Sequence, residues 1–200
     1  MSSNSSQIPV GDDDYAYDSD DDTLRSLAST VRAYRYQNNR RYHEGRTGSQ
    51  FPPPRRTCCV QCLPSQPAHP FPNDKRSADN EEISHLLYLK LFDDKPYIAP
   101  IEAPRNIIDL GTGTGLWASL VADWFDGTDR PLANVIGVDL APQQDSSVQT
   151  NLCFEVDDIT NEWTTNTLFD LVHIRMLWGV VNDWPKVYAE SFKYASVVAP

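Results

Sequence analysis

The chain has 200 residues and a formal net charge of -11, a length that suits one domain with tails. So acidic a chain argues against duplex nucleic acid as a bulk electrostatic partner, because affinity there comes mainly from neutralising phosphates. The polar, acidic N-terminus is no signal peptide, no apolar run approaches membrane-spanning length, and the four cysteines do not look like a secreted disulfide framework, so the expected place is cytoplasm or nucleus, with no membrane partner.

Residues 12–22 hold seven Asp and no base, and residues 1–22 as a whole carry too little apolar surface to offset chain entropy; a disordered acidic tail is expected there. From Thr23 to Tyr42 the pattern is helical, with Leu24, Leu27, Ala28, Val31 and Tyr34 at three- and four-residue steps, which predicts a helical segment over 23–46. Eight Arg and one Glu fall within residues 25–56. The run Arg40-Arg41-Tyr42-His43 reads either as a basic edge packed on an acidic domain or as an RNA contact or nuclear address. Residues 47–72 form a proline-rich insertion or linker, with Pro52-Pro53-Pro54, Pro64, Pro67 and Pro70 excluding regular structure. The pair Cys59 and Cys62 within it lacks the second pair of ligands that zinc requires, so no metal is expected.

Helical periodicity resumes from Asp79 to Phe92, with acids in the first turn, Ile83, Leu86, Leu87 and Leu91 on the inward face, and Pro96 and Pro100 beyond its end. Strands are predicted over 106–110, 134–140, 152–156 and 169–174. A helix over 114–125 turns Leu116, Trp117, Leu120 and Val121 inward, and a last helix runs from Asp183 to about Val197, capped by Asp183 with Pro185 in its first turn. Strands alternating with helices predict an α/β fold with a parallel sheet and right-handed crossovers.

The first strand leads into the most informative corner, Asn106-Ile-Ile-Asp-Leu-Gly-Thr-Gly-Thr-Gly-Leu-Trp117. Asp109 sits at the strand end, and Gly111, Gly113 and Gly115 occupy alternate positions around Thr112 before the helix. Strand, glycine loop and helix in this order hold nucleoside-bearing ligands at the mouth of doubly wound sheets. A dinucleotide fingerprint would place glycine at 116, where Leu116 stands, which disfavours a nicotinamide oxidoreductase. The pattern D-x-G-x-G-x-G instead resembles the form found in S-adenosylmethionine-dependent methyltransferases. That cofactor has no pyrophosphate but carries a sulfonium and an ammonium, and a carboxylate such as Asp109 suits a cationic ligand.

Further acids follow at strand ends. Val135-Ile-Gly-Val-Asp139 ends on a carboxylate 24 residues after Gly115, close to where nucleoside-binding folds place an acid for the ribose hydroxyls. Asp157, Asp158 and Ile159 close the third strand, where an acid accepts the adenine amino group with Ile159 on the purine face, or else forms an ordinary acidic turn. In Phe169-Asp-Leu-Val-His173-Ile-Arg175, His173 and Arg175 share a strand face at the sheet's carboxyl edge. There His173 is a candidate general base or a satisfied structural histidine.

The stretch from Tyr42 to Lys193 resembles the fungal class I methyltransferases that include the secondary-metabolism global regulators. The resemblance rests on Arg41-Tyr42-His43, Phe71-Pro-Asn-Asp74, His85-Leu-Leu-Tyr-Leu-Lys-Leu, Ile98-Ala-Pro-Ile101, the glycine corner, Val135-Ile-Gly-Val-Asp-Leu-Ala-Pro142, Phe154-Glu-Val-Asp-Asp158, Phe169-Asp-Leu-Val-His-Ile-Arg175 and Asn182-Asp-Trp-Pro185. It implies a Rossmann-like class I methyltransferase fold that binds S-adenosylmethionine through Asp109, the glycine loop, Asp139 and Asp158. Such relatives pass from the Tyr-His segment to Pro-Asn-Asp through a short spacer, so residues 47–70 look inserted. They also continue past the Asp-Trp-Pro helix into three more strands, whereas this chain stops at Pro200. The implication is a partial methyltransferase domain over 73–200, with an incomplete sheet of about four strands and an open edge at the fourth. The methyl acceptor, small molecule or protein, is not legible. The alternative is a catalytically silent regulatory or scaffold protein that keeps the cofactor fold and joins a regulatory protein complex.

Overall fold

A computed structural model of the chain describes residues 34–43, 71–141, 143–144 and 148–196. The expected acidic tail, the first part of the expected N-terminal helix, and the proline- and cysteine-bearing stretch 47–70 lie outside the described residues.

The N-terminal part that is described is not helical. β1 (Tyr34–Gln37) and β2 (Arg40–His43) pair antiparallel, with Tyr34 opposite His43 and Gln37 opposite Arg40. Asn38 and Asn39 join them at φ of 52° and 59°. Both positions of a tight primed turn need positive φ, which asparagine tolerates better than other non-glycine residues. The Tyr and Arg spacing that fits a helix fits a two-stranded ribbon equally well, and the Asn pair decides for the ribbon. Arg35 lies over the Tyr42 ring and Arg41 over the Tyr34 ring, 5.1 and 4.6 Å from the centroids. The hairpin is tied to the Asn73-Asp74 segment: Asn73 N–H donates to the Arg41 carbonyl at 2.9 Å, and the Arg40 guanidinium makes two hydrogen bonds to the Asp74 carboxylate.

Asp74 is also the N-cap of α1 (Lys75–Leu91), its Oδ1 accepting from Ser77 N–H at 3.1 Å. The helix thus begins a turn before the expected Asp79, and its first turn holds no acid. Its expected inward face is reversed: Ile83, Leu86, Leu87 and Leu91 are exposed, and His85 is the buried residue. The polar stripe turns inward because its side chains find partners beside the glycine loop and the end of the sheet. The hydrogen bond from Arg40 holds the Asp74 carboxyl below the usual carboxylate range, against the opposing effect of burial. A lowered folded-state pKa contributes stability above the unfolded value near 4 that is lost as pH falls through the folded value. Asp74→Ala is therefore expected to cost about 1 kcal/mol at neutral pH, from the cap alone. The gap to wild type should narrow below about pH 4, read by urea unfolding across a pH series.

The main sheet is parallel, in the order β5-β4-β3-β6, from β3 (Asn106–Leu110), β4 (Asn134–Asp139), β5 (Leu152–Val156) and β6 (Leu171–Ile174). The last strand is shorter than the expected 169–174, since Phe169 makes only an isolated parallel bridge to Ala195. α2 (Leu116–Trp124) and α3 (Trp184–Tyr194) complete the layers. As expected, Asp183 caps α3, accepting from Lys186 N–H at 3.1 Å, with Pro185 in the first turn. Alternate side chains of β3 enter opposite cores. Ile107 joins Trp117, Ala118, Val121, Ala122, Phe125, Val135 and Leu152, while Ile108 and Leu110 join Val138, Trp163, Phe169, Val181 and Val187. Trp117 and Val121 face inward as expected, but Leu116 does not: it is exposed, and Ala118 and Ala122 fill the inward stripe. Leu116 is the first helical residue and borders the cavity beside the glycine loop.

Candidate functional site

The chain runs outward from β3 through β4 to β5, then returns to place β6 on the other side of β3. Ligands of open α/β sheets bind outside the carboxyl ends of the strands at such a reversal. Asp109 of β3 and His173 of β6 are register neighbours at that point. The loop after β3 has Gly111, Gly113 and Gly115 at φ of 72°, 58° and 82°, all in the left-handed region. Gly115 caps α2, and a Cβ on it would lie 2.5 Å from Phe154 Cζ; a Cβ on Gly113 would lie 2.5 Å from Glu81 Oε2. Side chains at these positions meet both backbone strain and an occupied neighbour.

The loop borders a cavity of about 400 Å³, within the usual range for small-molecule sites. Of the residues expected from sequence, Asp109, Gly111, Thr112, Gly113, Asp139, His173 and Arg175 line it. Gly115 lies behind the loop as the helix cap, and Asp157, Asp158 and Ile159 do not line this cavity. The Asp158 carboxylate closes a local turn, accepting from Thr160 N–H, Thr160 Oγ1 and Asn161 Nδ2, while Ile159 packs against the second core.

Asp109 is buried, and both its oxygens are engaged: Oδ2 accepts from Thr112 Oγ1 at 2.7 Å and Oδ1 lies 2.6 Å from His173 Nδ1. With Asp109 ionised, Nδ1 carries the proton, since a carboxylate only accepts. The Trp117 indole stacks on the His173 ring at 3.6 Å, 5° from parallel, and its own Nε1 donates to the Pro96 carbonyl at 2.7 Å. Asp139 accepts from Gly113 N–H at 2.9 Å through Oδ2 and from Ala141 N–H at 3.0 Å through Oδ1.

Three contributors are not singled out by the sequence. Glu81 accepts from Thr114 N–H at 3.1 Å. Gln144 Nε2 donates to the Gly113 carbonyl at 2.5 Å. His85 Nδ1 lies 3.0 Å from Arg175 Nη2, and the Arg175 guanidinium stands over the Tyr88 ring. Burial, followed by the Arg175 charge, pushes the His85 imidazole down, so at neutral pH it is uncharged and Nδ1 accepts from the guanidinium. Burial likewise lowers the Arg175 pKa, against the opposing pull of Asp109 and Tyr88. The available signal for the α1 contributors is the three- and four-residue spacing of Ser77, Glu81, Ser84, His85 and Tyr88, a polar stripe beside the more conspicuous leucines.

Residues 83–196 match a family described as a methyltransferase domain. The chain belongs to this methyltransferase family. Among curated relatives, the chain is 34% identical to "Methyltransferase pytC" of Aspergillus terreus over 177 residues, 87% of this chain and 47% of the other. It is 30% identical to "Secondary metabolism regulator laeA" of Aspergillus flavus over 175 residues, 86% of this chain and 41% of that one. The chain thus spans about half the length of the curated relatives it matches. A solved structure of the plantazolicin methyltransferase BpumL in complex with SAH aligns with a TM-score of 0.48 at 20% identity, over 60% of this chain and 47% of that one. Among the described residues of the methyltransferase domain, no helix is long and apolar enough to cross a membrane.

Proposed function

We propose that the chain binds S-adenosylmethionine at the β3–loop–α2 corner and takes part in transfer of its methyl group to an acceptor nucleophile, in fungal secondary metabolism or its regulation, in the cytoplasm or nucleus. The observation that carries this is the state of the loop amides. Gly113 N–H and Thr114 N–H both donate to carboxylates, Asp139 and Glu81. A loop built for pyrophosphate aims such amides at phosphate oxygens, and carboxylates on them would repel that group. A cationic nucleoside suits this wall, and the left-handed glycines let the backbone come close to it.

Asp139 is the residue for the ribose hydroxyls, and Gly111, Thr112 and Gly113 form the wall against the ligand. Asp109 acts through its neighbours by holding Thr112 and His173. The cofactor supplies an electrophilic methyl group, and the protein's share is positioning the reactants in line. His173, with Nδ1 held by Asp109 and its ring face on Trp117, is an oriented imidazole suited to take a proton from an acceptor. Titration calorimetry of the wild-type chain with S-adenosylmethionine tests the proposal. A saturable one-site isotherm is expected, and a flat trace at millimolar ligand removes it.

The LaeA-type relatives are named as regulators, which favours a second reading: a regulatory or scaffold protein that keeps the cofactor fold without catalysis. A cofactor-binding-deficient variant that still holds a regulatory partner would support it. Loss of that partner in Asp139→Ala would count against it.

A further inference from the structure

Trp178, in the loop after β6, lines the cavity yet is 79% exposed. An indole is among the most rewarding side chains to bury, so one left at a cavity mouth offers its face to a ligand. The backbone holds it there. Met176 has φ 60° and Gly179 φ 78°, so the chain turns on both sides of Leu177 and Trp178. Leu177 turns inward: it packs against the second core and fills the space that a Cβ on Gly111 would need. Trp178 turns outward and belongs to neither core among the described residues. Its ring meets Trp184 of α3 with centroids 5.8 Å apart, and Trp184 in turn packs on the second core and lies 5.4 Å from Tyr188. The indole is thus braced by α3 on the cavity that His173 and the glycine loop also line. Its surroundings define what it takes. Residues 176–181, Met-Leu-Trp-Gly-Val-Val, bear no charge and no hydroxyl. Met176 and Leu116 add exposed apolar surface to the same cavity. A charged acceptor finds no counter-ion on this loop, whereas a flat uncharged ring can stack on the indole. His173, oriented through Asp109, stands ready as the base. A phenol, with an ordinary pKa of about 10, yields its proton to an imidazole far more readily than an aliphatic alcohol does.

We propose that Trp178 is the stacking platform for the methyl acceptor, and that the acceptor is a planar, uncharged aromatic hydroxyl compound. This rests on the reading of the β3–loop–α2 corner as an S-adenosylmethionine site. In the transfer the acceptor O–H bond breaks and its proton passes to His173 Nε2. The oxygen bonds the methyl carbon while the electron pair of the broken S–C bond stays on sulfur, leaving an aryl methyl ether and S-adenosylhomocysteine.

The test uses the full chain. Calorimetry first measures S-adenosylhomocysteine binding, and ligand-observed NMR then titrates 2-naphthol into the saturated complex. Decahydro-2-naphthol keeps the hydroxyl but loses the flat ring, and a lysine-bearing peptide stands for a protein acceptor. Wild type should bind 2-naphthol at least about fivefold more tightly than the saturated analogue. Trp178→Ala should weaken 2-naphthol about tenfold, the scale of one lost ring stack. Trp178→Phe should bring it back to within about threefold of wild type. S-adenosylhomocysteine affinity should stay within about twofold in both variants, which also shows them folded. Equal binding of the flat and saturated probes overturns the proposal, as does no 2-naphthol binding at millimolar concentration or equal binding by wild type and Trp178→Ala. Peptide binding that is lost in Trp178→Ala overturns it in favour of a protein acceptor, and a dimer lost in that variant in favour of a second copy of the chain. If wild type does not bind S-adenosylhomocysteine, the cofactor assignment itself falls, and this inference with it.

Discussion

Gly113→Arg should lower the affinity for S-adenosylmethionine by at least about 100-fold, equivalent to about 2.7 kcal/mol, while the protein stays folded. Two costs add. The residue sits at φ 58°, where a side chain costs roughly 1–2 kcal/mol of backbone strain. Its Cβ would lie 2.5 Å from Glu81 Oε2. Because that neighbour is the end of a flexible side chain, the fold can yield, but only by moving the carboxylate and filling the cavity with a guanidinium. The arginine would then pair with Glu81 or Asp139 and neutralise the wall that favours a cation. Calorimetry gives the affinity, and a thermal melt should show a drop of only a few degrees, as about 1 kcal/mol implies for a chain of this size. Wild-type affinity in this variant would remove the glycine loop from the site.

Trp117→Ala should be the most damaging single change to stability, costing about 3–5 kcal/mol and roughly 6–20 °C in melting temperature. Trp117 is 2% exposed and joins fold to site. One face of the indole packs in the core with Val121 and Phe125, the ring stacks on His173, and Nε1 donates to the buried Pro96 carbonyl. Truncation leaves a cavity, orphans that carbonyl and frees the imidazole that Asp109 holds. Trp117→Phe separates these effects: most of the volume and a stacking face remain, so the loss should shrink to about 1–2 kcal/mol, mainly the hydrogen bond. Chemical denaturation of both variants measures the difference. A cost below about 1 kcal/mol for the alanine variant would contradict this packing.

Much of the parallel core is legible because its signals are local. The runs Asn106–Leu110 and Asn134–Asp139 are mostly apolar, short and bounded by turn formers, as buried parallel strands must be, and Leu152–Val156 alternates as a half-exposed edge strand does. The start of α3 is equally plain, because an N-cap and a proline act within one turn of chain. The N-terminal hairpin is not. Tyr34 and its neighbours satisfy helix and ribbon spacing alike, and only the Asn38-Asn39 pair, whose weight is slight until the strands meet, separates the two. In α1 the leucine stripe reads as the buried face, although the side that enters is the one carrying Glu81 and His85. Hydrophobic periodicity assumes that apolar residues outbid polar ones for the interior, and it fails where polar side chains meet partners there.

From sequence alone, the α/β order with its glycine corner and the acid at the end of the next strand determine the fold class and carry the resemblance to methyltransferases, because each signal lies within a few residues of chain. Only the tertiary structure decides what the acids do. Asp109 meets His173 64 residues away because β6 lies beside β3, Asp139 reaches Gly113 because β4 lies on the other side of β3, and Glu81 reaches Thr114 from a helix that precedes the sheet. A carboxylate's role depends on which donors stand within about 3 Å of it, and strand order and helix facing, rather than spacing along the chain, set that distance.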